Sequence, residues 1–111
     1  MFYQIIKVLK NSKIVKDFSL IEFIEEELVK ILKIKAISIL FITEVHTSNM
    51  QKYSYHWQDQ KGNLKIRWDN SPHWSNIETF PHHKHLKDKI VSSVRPTIFE
   101  VLKEIENVLR G

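Results

Sequence analysis

The sequence predicts an α+β domain, a single antiparallel five-stranded meander with an N-terminal and a C-terminal helix covering one face. Three observations lead there. Apolar residues recur at helical spacing only near the two ends of the chain. Between them they recur by alternation, with β-branched and aromatic side chains dominating. The chain has 111 residues, 42% hydrophobic and 27% charged, which suits a single domain over 1–111 with one modest core.

Phe2, Ile5, Ile6 and Leu9 follow i, i+3, i+4, i+7 spacing and predict a short amphipathic helix over about 2–10, closed by Asn11-Ser12. From Lys13 to Val45, residues such as Val15, Ile21, Phe23, Val29, Ile31, Ile37, Ile39, Phe41 and Val45 are spaced mostly by two. Three strands fit, at about 14–23, 27–33 and 37–46. The turn between the last two, near Lys33–Ala36, has no Gly, Asn or Pro to mark it. Glu25-Glu26-Glu27 offers an alternative helix start running through Leu32. Tyr53–Gln58 and Leu64–Asp69 alternate cleanly around Asp59-Gln60-Lys61-Gly62, which reads as a type I turn with Gly62 in the left-handed conformation. This hairpin puts Tyr53, Tyr55, Trp57, Leu64, Ile66 and Trp68 on the core face, and His56 and Arg67 on a polar face. Residues 69–95 read as an irregular segment with a turn at Asp69–Pro72. Thr97 and Glu100 form a capping box, and Ile98, Val101, Leu102, Ile105, Val108 and Leu109 make the apolar stripe of a closing helix over about 98–109.

Composition excludes several chemistries. There is no cysteine, so a disulfide framework, cysteine-ligated zinc, an iron–sulfur cluster and a thiol nucleophile are ruled out. Two glycines, Gly62 and Gly111, cannot build a P-loop or a dinucleotide fingerprint. The longest apolar run, near Ala36–Thr43, is far below the roughly 20 residues of a spanning helix, and the N-terminus lacks a cleavable leader pattern. A cytoplasmic protein with no membrane association is expected. The net charge is +4, with seven Lys against six acids in residues 1–50 and ten Lys+Arg against seven acids in 51–111. The excess in the second half gives weak support for an anionic partner there.

Histidine is the unusual residue. Five of the six lie between positions 56 and 85, three of them in His82-His83-Lys84-His85. Imidazole accepts and donates protons near neutral pH and binds transition metals. On a strand, His83 and His85 share one face and His82 opposes them. With His56 or Asp69 the pair could hold a metal, but no HExxH-like spacing supports this, and no metal or cofactor is expected. Arg67 is suited to clamp phosphate. The candidate catalytic residues are thus His56, Arg67, His83, Lys84 and His85. The candidate substrate-binding residues are Lys65, Asp69, His73, Trp74 and His82. Each has a plainer reading: Lys65 as a cross-strand ion pair, Asp69-Asn70 as an Asx cap, Trp74 as a loop anchor, and the histidines as half-polar surface filler.

Tyr53-Ser54-Tyr55-His56-Trp57-Gln58-Asp59, then Gly62-Asn63-Leu64, Arg67-Trp68-Asp69-Asn70, Pro72-His73 and Thr79-Phe80-Pro81-His82-His83-Lys84-His85 resemble the TumE-like family. These are small prokaryotic proteins regarded as toxins of type II toxin–antitoxin pairs. The likeness is dense over about 53–85, Pro96–Glu100 fits the family's closing helix start, and Phe41–Val45 looks like its third-strand segment. Lys35-Ala36-Ile37-Ser38 departs from the Asp-Gly-Ser-like turn usual there, and Trp74 stands where another His is common. The resemblance implies a toxin with a cognate antitoxin. Joined to the basic, His-rich segment, it leads to an expected toxin acting on RNA: a ribonuclease working without metal, through a His/Arg/Lys site, with homodimerisation open. The alternative is a non-enzymatic binding protein whose His-rich loop is structural or interfacial.

Overall fold

Two amphipathic helices and a run of neighbouring hairpins account for the architecture. The computed structural model describes residues 2–15, 17–36 and 39–110. The elements in chain order are α1 (Phe2–Asn11), β1 (Phe18–Glu25), β2 (Val29–Ala36), β3 (Leu40–Thr47), β4 (Gln51–Gln58), β5 (Leu64–Asp69), β6 (His83–His85), β7 (Ile90–Ser92) and α2 (Ile98–Arg110). The strands form one antiparallel sheet in sequence order, β1-β2-β3-β4-β5-β6-β7. The α+β class and the meander stand, but the sheet has seven strands among the described residues, not five.

The additional strands lie inside the segment predicted to be irregular. β5 would otherwise end the sheet with its outer backbone edge unpaired. His83–His85 covers that edge, with Arg67 opposite His85 and Asp69 opposite His83. A turn closed by the Leu86 amide on the Lys89 carbonyl (2.8 Å) then returns β7 against β6. Three residues per strand are too few for alternation to reveal them. β1 and β2 also start later than predicted, and β2 remains a strand where the alternative reading began a helix. Strand β2 continues through the predicted Lys33–Ala36 turn, because nothing there breaks it. The chain reverses beyond it, with Ala36 paired to Leu40 and Ile39 at φ 77°. Part of the predicted 37–46 strand, residues 37 and 38, lies outside the described residues.

Both helices pack on one face. Phe2, Ile5 and Leu9 of α1 and Ile98, Val101, Leu102 and Ile105 of α2 are buried against Leu32, Ile34, Leu40, Ile42, Tyr53, Tyr55, Trp57, Ile66 and Trp68. Those sheet residues follow one another across the register: Ile34–Ile42–Tyr55–Trp68 is a single row. The helix start matches the sequence. Thr97 Oγ1 accepts from the Glu100 amide (3.1 Å) and Glu100 Oε1 from the Thr97 amide (2.9 Å). The 59–62 turn does too, with Gly62 at φ 89° donating its amide to the Asp59 carbonyl at 3.1 Å.

Candidate functional site

The face of the sheet away from the helices carries two cross-strand rows. One reads Phe41–His56–Arg67–His85, the other Thr43–Ser54–Asp69–His83, each across β3, β4, β5 and β6. Alternation along each strand sends these residues away from the core. Four of the five candidate catalytic residues meet here.

Arg67 is the hub. Its Nε donates to Asp69 Oδ2 at 2.8 Å and its Nη1 to His56 Nδ1 at 3.2 Å. The second bond leaves the His56 proton on Nε2, which donates to Gln58 Oε1 at 3.0 Å. Burial lowers the His56 pKa below the ordinary imidazole value, and the Arg67 charge lowers it further, against the Gln58 bond. Asp69 is buried at 3% exposure. Its Oδ1 accepts the Ser71 amide at 2.9 Å and faces His83 Nε2 at 2.9 Å, while Oδ2 lies 3.4 Å from His85 Nε2. Burial alone would raise the Asp69 pKa, but the Ser71 amide, Arg67 and His83 outweigh it and hold the carboxyl below its usual range. His83, at 1% exposure, gives its Nδ1 proton to the Pro81 carbonyl at 2.9 Å. His83 and His85 meet through their Nε2 atoms at 3.0 Å. The His85 pKa is lowered by burial, which prevails over the Asp69 charge, with His83 and Arg67 adding to the lowering.

These groups are buried on an outer sheet face because the 70–82 loop folds over them. Trp74 stands edge-on to His83 and His85, with ring centroids 6.4 and 6.2 Å away, and is itself 38% exposed. It is a loop anchor as well as a wall of the site. Asp69 likewise caps its turn through the Ser71 amide, while its other contacts face His83 and His85.

Several sequence candidates fall elsewhere. Lys84 points to the helix side, where its Nζ pairs with Glu104 of α2 at 3.1 Å. On a strand it must oppose His83 and His85, so it is no part of their cluster. His82 faces the same way as Lys84, its Nδ1 accepting the Tyr53 hydroxyl at 3.0 Å. Its pKa is lowered by burial, then by Arg95 and His83. Lys65 is the extra residue at a register shift in the β4–β5 pairing and lines a shallow groove with Asp59 and Lys87. His73 is exposed in the covering loop, beside Pro72 and Phe80.

A second polar group escaped the sequence reading. Glu44, at 3% exposure on the helix side, accepts the Tyr55 hydroxyl at 2.6 Å, His46 Nε2 at 3.0 Å and Arg95 Nη2 at 3.5 Å. Arg95 also lies 4.6 Å above the Tyr53 ring. Burial raises the Tyr53 pKa to about 12, with Arg95 opposing and Asp69 adding to it. Burial and the adjacent Glu44 raise that of Tyr55 as well. A cavity of about 300 Å³ opens beside Glu44, Tyr55 and Arg95, between α1 and the start of α2. The available signal was that Glu44 and His46 continue the alternation of Leu40 and Ile42.

No curated protein and no solved structure matches the chain. A family model described as Toxin TumE matches residues 5–109, taking in most of both helices along with the His-rich face. The sequence resemblance therefore holds nearly end to end, and the chain belongs to the TumE toxin family.

Proposed function

We propose that this toxin acts in the cytoplasm on RNA, as the toxic half of a type II pair whose antitoxin neutralises it, and that it cleaves the chain by passing the phosphoryl group from the 5′-oxygen to the adjacent 2′-oxygen. One observation carries the reading: the His56–Arg67–His85 row, a guanidinium flanked by two half-buried imidazoles on neighbouring strands. Strand spacing puts those imidazoles about 10 Å apart at the backbone, one on either side of a phosphate held by Arg67. His56 takes the proton from the 2′-hydroxyl at Nδ1, which the bound phosphate frees by drawing Arg67 Nη1 to itself; the oxygen attacks phosphorus, and the 5′-oxygen leaves. Its lowered pKa keeps His56 neutral and able to accept that proton at pH 7. His85, backed by Asp69 and His83, stands at the end where the leaving oxygen gains charge. In metal-free chemistry that proton comes from the imidazolium form of His85, a minority at pH 7 because burial lowers its pKa. The products are a 2′,3′-cyclic phosphate and a 5′-hydroxyl, and no co-reactant is consumed.

The test is purified protein with structured and unstructured RNA, with and without EDTA, reading product ends by mass spectrometry. We expect His56→Ala and Arg67→Ala each to slow cleavage by about 100-fold or more. Absence of cleavage under every condition, with toxicity in cells intact, would sink the proposal. A second reading, a non-enzymatic protein interface, is favoured by the exposure of Trp74 beside the same face. It predicts that Trp74→Ala weakens the antitoxin complex, or a homodimer formed through this face, while His56→Ala leaves toxicity unchanged.

A further inference from the structure

The contacts among Asp69, His83 and His85 leave a charge unaccounted for. The Nδ1 proton of His83 is committed to the Pro81 carbonyl, so the neutral ring presents a lone pair at Nε2. That lone pair faces a carboxylate oxygen at 2.9 Å and the Nε2 of His85 at 3.0 Å. A single proton on His85 Nε2 satisfies one of these approaches, not both. Positive charge between these acceptors, a second proton on His83 or a metal ion, satisfies both approaches at once.

We infer that Asp69, His83 and His85 form a binding site for a divalent transition cation of the zinc class, with open positions toward the exposed side of His85. The distances fit. Metal–ligand bonds of about 2.0–2.2 Å separate adjacent ligands by roughly 2.8–3.1 Å in an octahedron and roughly 3.3–3.6 Å in a tetrahedron. The observed contacts, 2.9 Å from His83 Nε2 to Asp69 Oδ1, 3.0 Å between the two Nε2 atoms and 3.4 Å from His85 Nε2 to the other carboxylate oxygen, Oδ2, fall in these two bands. One donor atom from each residue lies within 4.8 Å of the others. Two imidazoles and one carboxylate leaving open positions are a donor set for borderline first-row metals.

The surroundings are those of a metal centre. The Pro81 carbonyl orients His83, and the Ser71 amide and Arg67 Nε orient Asp69, so the ligands are held in place by outer partners. Asp69 and His83 side chains are 4% and 1% exposed, while His85 at 23% leaves an entry path. One carboxylate against a divalent cation and Arg67 leaves the centre positive, which calls for an anionic oxygen as the next ligand. On the RNA reading, on which this last point rests, that oxygen is the leaving 5′-oxygen or a phosphate oxygen, and the expectation of metal-free chemistry is replaced.

The test uses full-length protein without a polyhistidine tag, stripped with chelator, and titrated with Zn²⁺ by calorimetry and with Co²⁺ by visible absorption. We expect one ion per chain, visible Co²⁺ bands, and a Tm rise of about 5 °C on saturation with Zn²⁺. His85→Ala, and His85→Gln as a variant closer in size, should weaken Zn²⁺ binding by at least about tenfold, while the exposed loop variant His73→Ala leaves it unchanged. Circular dichroism confirms that each variant is folded. No stoichiometric binding up to millimolar metal, or binding unaffected by both His85 variants, would overturn the inference. The titration contains no RNA. A chain that binds zinc but leaves RNA intact refutes only the ribonuclease reading. RNA cleavage by a chain that binds no metal refutes only this one.

Discussion

His56 shows how one residue's surroundings decide what it can do. Its pKa is lowered because burial penalises the imidazolium and Arg67 repels it. The folded state thus resists a proton that the unfolded chain accepts near pH 6.5. Stability from this residue is complete above that pH and falls as pH drops through the window between 6.5 and the lower folded value. NMR of the imidazole nitrogens should find His56 titrating below 6.5, and Arg67→Ala should move it upward. A midpoint at or above 6.5 in the wild type would contradict this, and one above 7 would leave the imidazole mostly protonated at pH 7. Lys84 gives the contrasting case. Its contact with Glu104 is a half-exposed pair on the helix side, with side-chain exposures of 21% and 37%. Lys84→Ala should therefore cost less than about 1 kcal/mol in urea unfolding and leave RNA cleavage within about twofold of wild type.

At the scale of elements, the turn after β2 carries the clearest local strain. Ile39 sits at φ 77°, a region where a β-branched residue costs roughly 1–2 kcal/mol. Asn tolerates that conformation, so Ile39→Asn should raise the urea midpoint by up to about 1 kcal/mol in stability, less what the half-buried side chain loses in packing. A lowered midpoint would mean that packing outweighs backbone strain. At α2 the reverse is expected: Thr97→Ala should cost about 1 kcal/mol through loss of its bond to the Glu100 amide. These two elements also separate what was legible in the sequence from what was not. The capping box and the Gly62 turn each carry a local signature, and they form as read. The β2–β3 reversal uses Ile39, a residue that argues against a turn, so its position could not be read from residue type. In β3 the regularly spaced Phe41 and Val45 face outward, while Leu40, Ile42, Glu44 and His46 are buried. A carboxylate and an imidazole in the core reversed the apparent pattern there, because Tyr55 and Arg95, which satisfy Glu44, come from distant parts of the chain. His56 and Arg67 were readable as partners because one hairpin fixes their register. Their junction with Asp69, His83 and His85 was not, since it depends on a three-residue strand returning after a 13-residue loop.

Across the whole molecule, strand order explains how a small chain keeps its packed core and its polar outer face apart. Every strand pairs with its sequence neighbour, so each cross-strand row is assembled from successive antiparallel pairings. One set of rows meets the helices and forms the core. The other faces away, and the 70–82 loop covers part of it. Substitutions should divide along the same line. Trp68→Ala should cost about 3–5 kcal/mol by opening the core. Tyr55→Phe should cost about 1–3 kcal/mol, because it removes a hydroxyl donor from buried Glu44. On the opposite face, His56→Ala should cost less than about 1 kcal/mol while abolishing most cleavage, as expected of a half-buried surface group. Urea unfolding of the three variants beside RNA cleavage measures both axes. If His56→Ala unfolds the chain as readily as Trp68→Ala, the outer row is structural, and its loss of cleavage says nothing about a base. If stability holds while cleavage is lost, the His56–Arg67–His85 row works on a scaffold that does not need it to fold.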